Sequence, residues 1–181
     1  MGNPTRLSEH VQVEIREPIA ILTLDRPDKL NALDGGTVQA LGHLFGDPPP
    51  EVAAAVLTSS GEHFSAGLDL SELTTTTVFE GVLHSRSWHE PFDNIQLGTI
   101  PVVSVLRGAV IGGGLELAIS THIRVAEPSA YYALPEGSRG IFVGGGGSVR
   151  LPRLIGVHRM ADMMLTGRVI DARSGLDLGI S

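Results

Sequence analysis

The sequence predicts a layered α/β fold. Three observations carry that expectation: short apolar runs alternate with stretches of helical spacing, glycine and proline turns bound the runs, and no linker divides the 181 residues. A chain of this length is enough for one well-buried domain, so residues 1–181 are read as a single unit.

The first segment, Val11–Pro18, alternates apolar and polar residues as a half-buried strand does, and Ile19–Leu24 follows after a short break. Together they predict a hairpin at the start of a sheet. Asp25–Leu33 reads as a loop, and Asp34 is placed to cap a helix through Thr37–Phe45 that Pro48–Pro50 ends. Val52–Thr58 is a short apolar run with the character of a buried parallel strand. It leads into Ser59–Leu70, a strand-to-loop transition whose small residues let a ligand approach the backbone. Threonines 74 to 77 read as a flexible connector. Helical spacing then runs from Val78 to Leu97, with Val82, Trp88, Phe92 and Ile95 as expected core contacts.

The stretch around which the chain is organised comes next. The apolar run Ile100–Leu106 predicts a buried strand, Gly108–Gly114 a glycine turn, and Leu115–Ala118 the start of a helix that opens on Glu116. Ile123–Ala126 reads as another strand. Glycines 144 to 147 lead into a helix at Ser148–Leu151, and an apolar helix follows from Met160 to Leu165 with Met163 and Met164.

Composition narrows the function classes. Apolar residues make up 42% and charged residues 18%, which excludes a disordered chain or a coiled coil. A formal charge of −7 argues against a nucleic-acid surface, which needs clustered Lys and Arg. Cysteine is absent, so there is no disulfide framework and no thiolate site. Met1–His10 lacks the apolar core of a signal peptide, and no run approaches the ~20 apolar residues of a bilayer-spanning helix. A soluble cytoplasmic protein without a membrane partner is expected. His84 and His89 are five residues apart, off the i, i+4 spacing of helical metal ligands, and no metal site is expected. The glycine runs match neither G-x-G-x-x-G nor G-x-x-x-x-G-K-[ST], and no G-x-S-x-G nucleophile elbow occurs.

Consecutive glycines before a helix let the backbone come close to a ligand while the first free N–H groups point outward, as an anionic oxygen requires. Twenty residues after Glu116, Glu136 stands between a proline and a glycine. Two carboxylates beside a backbone N–H site point to acid/base chemistry next to a developing oxyanion. Each feature alone has a plainer reading: tight packing for Gly112–Gly114, a first-turn acid for Glu116, a loop acid for Glu136, a turn cap for Asp69, surface charge for Lys29.

Four segments together resemble the successive signatures of the crotonase superfamily, and of its enoyl-CoA hydratases in particular. They are Leu24–Leu33, Phe64–Leu70, Gly112–Ala118, and Leu134–Glu136 with Gly144–Gly147. The resemblance implies a spiral of repeated ββα turns, an acyl-CoA thioester as substrate, a place in fatty acid metabolism, and assembly into homotrimers or pairs of trimers. It also implies an oxyanion hole from the backbone N–H groups of Leu68 and Gly113, with Glu116 and Glu136 as catalytic carboxylates. Contacts to substrate and its CoA portion fall by the same resemblance on Lys29, Leu30, Ser65, Gly67, Asp69 and Leu70, and on Gly112, Pro135 and Gly144.

No cofactor is implied beyond the coenzyme A of the substrate itself. Leu68 stands where hydratases often carry a smaller residue. Family members continue past the position of Ser181, so the C-terminal helical region beginning near residue 160 is expected to be incomplete, with apolar residues exposed for self-association. The expected reaction is addition of water to a 2-enoyl-CoA. The alternatives are an enoyl-CoA isomerase, which needs only a carboxylate placed like Glu136, and a non-catalytic acyl-CoA-binding or assembly subunit.

Overall fold

The structure, a computed structural model, describes residues 4–72 and 77–181. Of the connector expected at threonines 74 to 77, only Thr77 is among the described residues, where its side chain and Glu80 form a capping box.

The predicted hairpin is present: β2 (Val11–Arg16) pairs antiparallel with β3 (Ile19–Leu24), with Val13 opposite Leu22. A short strand, β1 (Thr5–Ser8), adds to its edge. Asp34 accepts a hydrogen bond from the Thr37 N–H at 2.7 Å and starts α1 (Gly35–Gly46) as expected. β4 (Ala54–Ser59) lies parallel to β3, and its burial alternates strictly, so Ala55, Leu57 and Ser59 face inward. α2 (Val78–Leu97) crosses α1 closely enough that a Cβ on Gly42 would stand 2.7 Å from Pro91. Trp88, Phe92 and Ile95 of α2 are buried, as predicted. Val82 is 45% exposed, because it lies in the early turns of α2 beside an open cavity, ahead of the Trp88, Phe92 and Ile95 positions buried where the helix packs on its neighbours α1 and α3.

β5 (Val102–Leu106) continues the parallel set beside β4, and β7 (Ile123–Ala126) closes it. The large sheet thus has the order β1-β2-β3-β4-β5-β7. The segment expected to be one glycine turn is not all turn. Ala109–Ile111 forms β6 and pairs with β8 (Tyr131–Ala133), which pairs in turn with β9 (Ile170–Asp171). α3 (Gly113–Ser120) follows directly. α4 (Gly147–Ile155), α5 (Val157–Thr166) and α6 (Ala172–Leu178) complete the described chain, the first two extending the predicted helices.

A repeated unit explains this layout. Each strand of the large sheet from β3 onward is followed by a short extended piece in a second layer. Leu33 follows β3 and bridges to Leu68, Ser65 follows β4 and bridges to Val110, β6 follows β5 and pairs with β8, which follows β7. A helix then returns the chain. This is the spiral of ββα turns, and it stacks the ends of the second-layer pieces side by side.

The core fills the space between layers with Leu22, Leu24, Leu41, Phe45, Leu57, Phe92, Leu106 and Leu115, each fully buried. Each such side chain contributes about 1.5–3 kcal/mol by leaving water. In α5 the predicted apolar face is split: Met160 and Met163 are buried, whereas Val157 and Leu165 are exposed. Among the described residues no helix is long and apolar enough to cross a membrane.

Candidate active site

The second layer ends at a cavity of about 580 Å³, bordered on one side by Leu68, Gly113, Glu116 and Glu136 and on the other by α2. Gly112 is the pivot. Its φ of +53° turns the chain from β6 into α3, a conformation that favours glycine, and its N–H donates to Ala133 O at 3.0 Å. A Cβ there would lie 2.5 Å from Glu136 Oε1, so the missing side chain is what lets the carboxylate in. The β6–β8 pairing therefore brings residues 112 and 136 together.

Gly113 is the first residue of α3, so its N–H has no helical partner. Leu68 bridges to Leu33 through neighbouring atoms: Leu33 N–H donates to Gly67 O, and Asp69 N–H donates to Leu33 O. That leaves the Leu68 N–H without a partner among the described residues. A Cβ built on Gly113 would stand 3.3 Å from the Leu68 nitrogen and 2.8 Å from the Trp88 ring. The two free donors are thus neighbours, with Trp88 as a wall beside them. His84, Trp88 and Phe92 stack at i, i+4 and i+8 of α2, with ring centroids 5.9 and 5.7 Å apart.

Glu116 lies in the first turn of α3, a helix whose eight residues are all buried. Its Oε1 accepts from the Gly147 N–H at 2.7 Å. Burial pushes its pKa up to about 7, aided by the nearby negative charge of Glu136. The N–H groups of Gly147 and Gly145 and the Arg150 guanidinium pull the other way. Glu136 sits on a 3-10 turn, Pro135–Arg139, packed on α5 through Gly137 and Met164. Burial raises its pKa as well, and its Oε2 has no hydrogen-bond partner among the described residues. Two carboxylates of raised proton affinity line one wall of one cavity.

The remaining predicted residues divide into two groups. Lys29 and Leu30 are exposed on and after the 3-10 turn Pro27–Lys29, Leu30 with a φ of +52°, and Leu70 is 45% exposed. Gly144 borders the cavity, its carbonyl accepting from Ser85 Oγ, and Pro135 starts the turn that carries Glu136. Ser65, Gly67 and Asp69 are engaged within the loop: Gly67 N–H donates to Ser65 Oγ, and Asp69 accepts from the Ser71 hydroxyl and N–H and from Arg26 at 2.7 Å. The Ser71 donors first, then Arg26, hold the Asp69 carboxyl down to about 2. That is the turn-capping role weighed for it from sequence.

Arg150 was not singled out from sequence, although a signal was present. Gly147, Arg150, Leu151 and Ile155 form the i, i+3, i+4, i+8 stripe that α4 buries, and a charge on such a stripe needs partners.

A spiral of ββα turns carrying two buried glutamates beside paired backbone donors defines a crotonase-fold protein. Residues 14–181 match the enoyl-CoA hydratase/isomerase family, and the chain belongs to it. The short-chain-enoyl-CoA hydratase of Clostridium acetobutylicum is 34% identical over 174 residues, which are 94% of this chain and 67% of that protein. The fatty acid oxidation complex subunit alpha of Shewanella loihica is 37% identical over 176 residues, and the chain spans only 24% of its length. A provisionally assigned enoyl-CoA hydratase of Rhodopseudomonas palustris is 56% identical, with a TM-score of 0.93 over all of this chain and 70% of that one. Another, from Thermobifida fusca, was solved in complex with acetoacetyl-CoA; it is 28% identical with a TM-score of 0.86, over 95% of this chain and 72% of that one. The names these relatives bear are those of enzymes.

Proposed function

We propose that the protein is a hydro-lyase that adds water across the double bond of a 2-enoyl-CoA thioester, without metal or redox cofactor. The observation that carries this is the convergence of Glu116, Glu136 and the unpartnered N–H groups of Leu68 and Gly113 on one cavity. The thioester oxygen sits between the two N–H groups. Attack of water on the β-carbon moves electron density onto that oxygen, where the donors stabilise it; one such donor is worth roughly 3 kcal/mol in acyl-transfer enzymes.

Glu116 as carboxylate takes a proton from the attacking water, and Glu136 as carboxylic acid gives one to the α-carbon. The water oxygen bonds to the β-carbon as the π bond breaks. One proton has then moved onto Glu116 and one off Glu136, and exchange with solvent restores the pair. The raised proton affinity of both groups suits this: Glu136 must start protonated, and Glu116 with a pKa of about 7 can ionise near neutrality. Lys29, Leu30, Ser65, Gly67, Asp69, Leu70, Gly112, Pro135 and Gly144 form the surroundings of the CoA arm and thioester, and copies of the chain assemble as trimers or pairs of trimers. The Thermobifida complex with acetoacetyl-CoA supports the substrate class.

The isomerase reading needs a single carboxylate, so the second one, Glu116, favours hydration. The test is loss of the enoyl-thioester absorbance of crotonyl-CoA with the protein and its Glu136→Gln variant. Turnover that disappears in the variant is expected. Turnover that persists in the variant, or 3-enoyl-CoA isomerised with no hydration, overturns the assignment.

A further inference from the structure

The glycine run 144–147 is occupied on both faces. On one side the Gly147 N–H holds Glu116 Oε1, and a Cβ on Gly147 or Gly145 would lie 2.8 or 3.1 Å from that carboxylate. The other side meets a guanidinium. Arg150 Nη1 donates to Gly145 O at 2.8 Å, and a Cβ on Gly146 would collide with that same nitrogen. Arg150 is 6% exposed. Its remaining donors reach back to α2, Nε to Gln96 Oε1 at 2.7 Å and Nη2 to the Asp93 carboxylate. A buried guanidinium with all its directions used, tied to a different element on each side, is a brace rather than a surface charge.

We propose that Arg150 is a positioning residue: anchored on α2 through Gln96 and Asp93, it holds the Gly144–Gly147 loop so that the loop's N–H groups orient the Glu116 carboxylate toward the cavity. It touches no reacting atom. This rests on the acid/base role proposed for Glu116. The chain of contacts runs by hydrogen bonds from Gln96 and Asp93 to Arg150 and on to the Gly145 carbonyl, then through the loop backbone to the Gly147 N–H, which donates to Glu116. Without the guanidinium the Gly145 carbonyl loses its partner and the loop can turn its N–H groups off the carboxylate, which then faces desolvation uncompensated.

The charged and titratable groups around Glu116 are Glu136 from the 3-10 turn and Arg150 from α4, while His84, Arg86 and His89 of α2 border the same cavity. The experiment is a titration of carboxyl carbons by 13C NMR in protein labelled at glutamate, with the Glu116 signal assigned by its loss in Glu116→Gln. Arg150→Met is expected to move the Glu116 midpoint upward by about one pH unit. In the same variant kcat falls about 10- to 100-fold with KM nearly unchanged. Arg150→Lys, which keeps the charge and one donor, restores part of both. A folded Arg150→Met protein with a wild-type Glu116 midpoint overturns the proposal. If that variant does not fold, Gln96→Leu removes one anchor and keeps the charge; a smaller upward displacement is expected, and an unchanged midpoint again overturns the proposal. Should the wild type not hydrate enoyl-CoA at all, the proposed function fails while the titration still decides the role of Arg150.

Discussion

Glu116→Gln should make the folded protein more stable while abolishing hydration. The folded pKa of Glu116 is about 7 against an ordinary 4.5, and burial is the main cause. Between those two values the folded protein binds one more proton than the unfolded chain, so stability falls as pH rises through that window and the whole penalty is present above it. A displacement of about 2.5 units corresponds to about 3 kcal/mol. Glutamine matches the protonated acid in shape and keeps an acceptor for the Gly147 N–H, so it escapes the penalty. Urea unfolding of both proteins from pH 5 to pH 8 is the assay. The variant should gain less than about 1 kcal/mol at pH 5 and about 3 kcal/mol at pH 8. A difference that does not change with pH, or a variant less stable than wild type at pH 8, would refute the argument that burial raises this group. Stability withheld at Glu116 is the expected cost of keeping an ionisable carboxyl out of water.

Two further predictions test other parts of the site. Gly113→Ala puts a methyl 2.8 Å from the Trp88 ring and 3.3 Å from the Leu68 nitrogen. It should lower kcat/KM by about 100-fold or more by displacing the thioester oxygen from its donors, and unchanged turnover would remove Gly113 from the reaction. Asp69→Asn should destabilise the protein at pH 7 by about 1–2 kcal/mol, because charged hydrogen bonds to Ser71 and Arg26 become neutral ones. Its folded pKa is depressed to about 2, so the contribution is full above the unfolded value and lost as pH falls through about 2. Wild type and variant should converge in acid unfolding curves, and a constant gap would contradict the assignment.

What could be read from sequence was whatever local chemistry decides. α1 was legible because Asp34 supplies a cap and the apolar residues recur at helical spacing. β4 and β5 were legible as short apolar runs bounded by turn residues, although their burial alternates along the strand and only one face is fully buried. β6 and β8 were not, since three residues carry no period and their stability comes from pairing with each other across the fold. Val82 was placed in the core because it fits the helical stripe roughly, and only the way α2 packs on α1 and α3 decides that it stays exposed beside the cavity. At the site, Glu116 and Glu136 could be named as a pair from their settings. That Gly112 admits Glu136, that the Leu68 and Gly113 donors lie side by side, and that Arg150 is buried are all facts of tertiary approach.

The cavity has two walls of different construction. Gly113, Glu116 and Glu136 belong to the buried layer, where any change in volume is felt by the sheet behind it. The facing wall is the early part of α2, where Val78 and Val82 are 88% and 45% exposed. Mutation therefore meets very different resistance on the two sides: the residues proposed for the chemistry are locked to the architecture, whereas residues that shape the space opposite them can be exchanged almost one at a time. A scaffold divided in this way can change what its cavity accepts without disturbing the residues behind it.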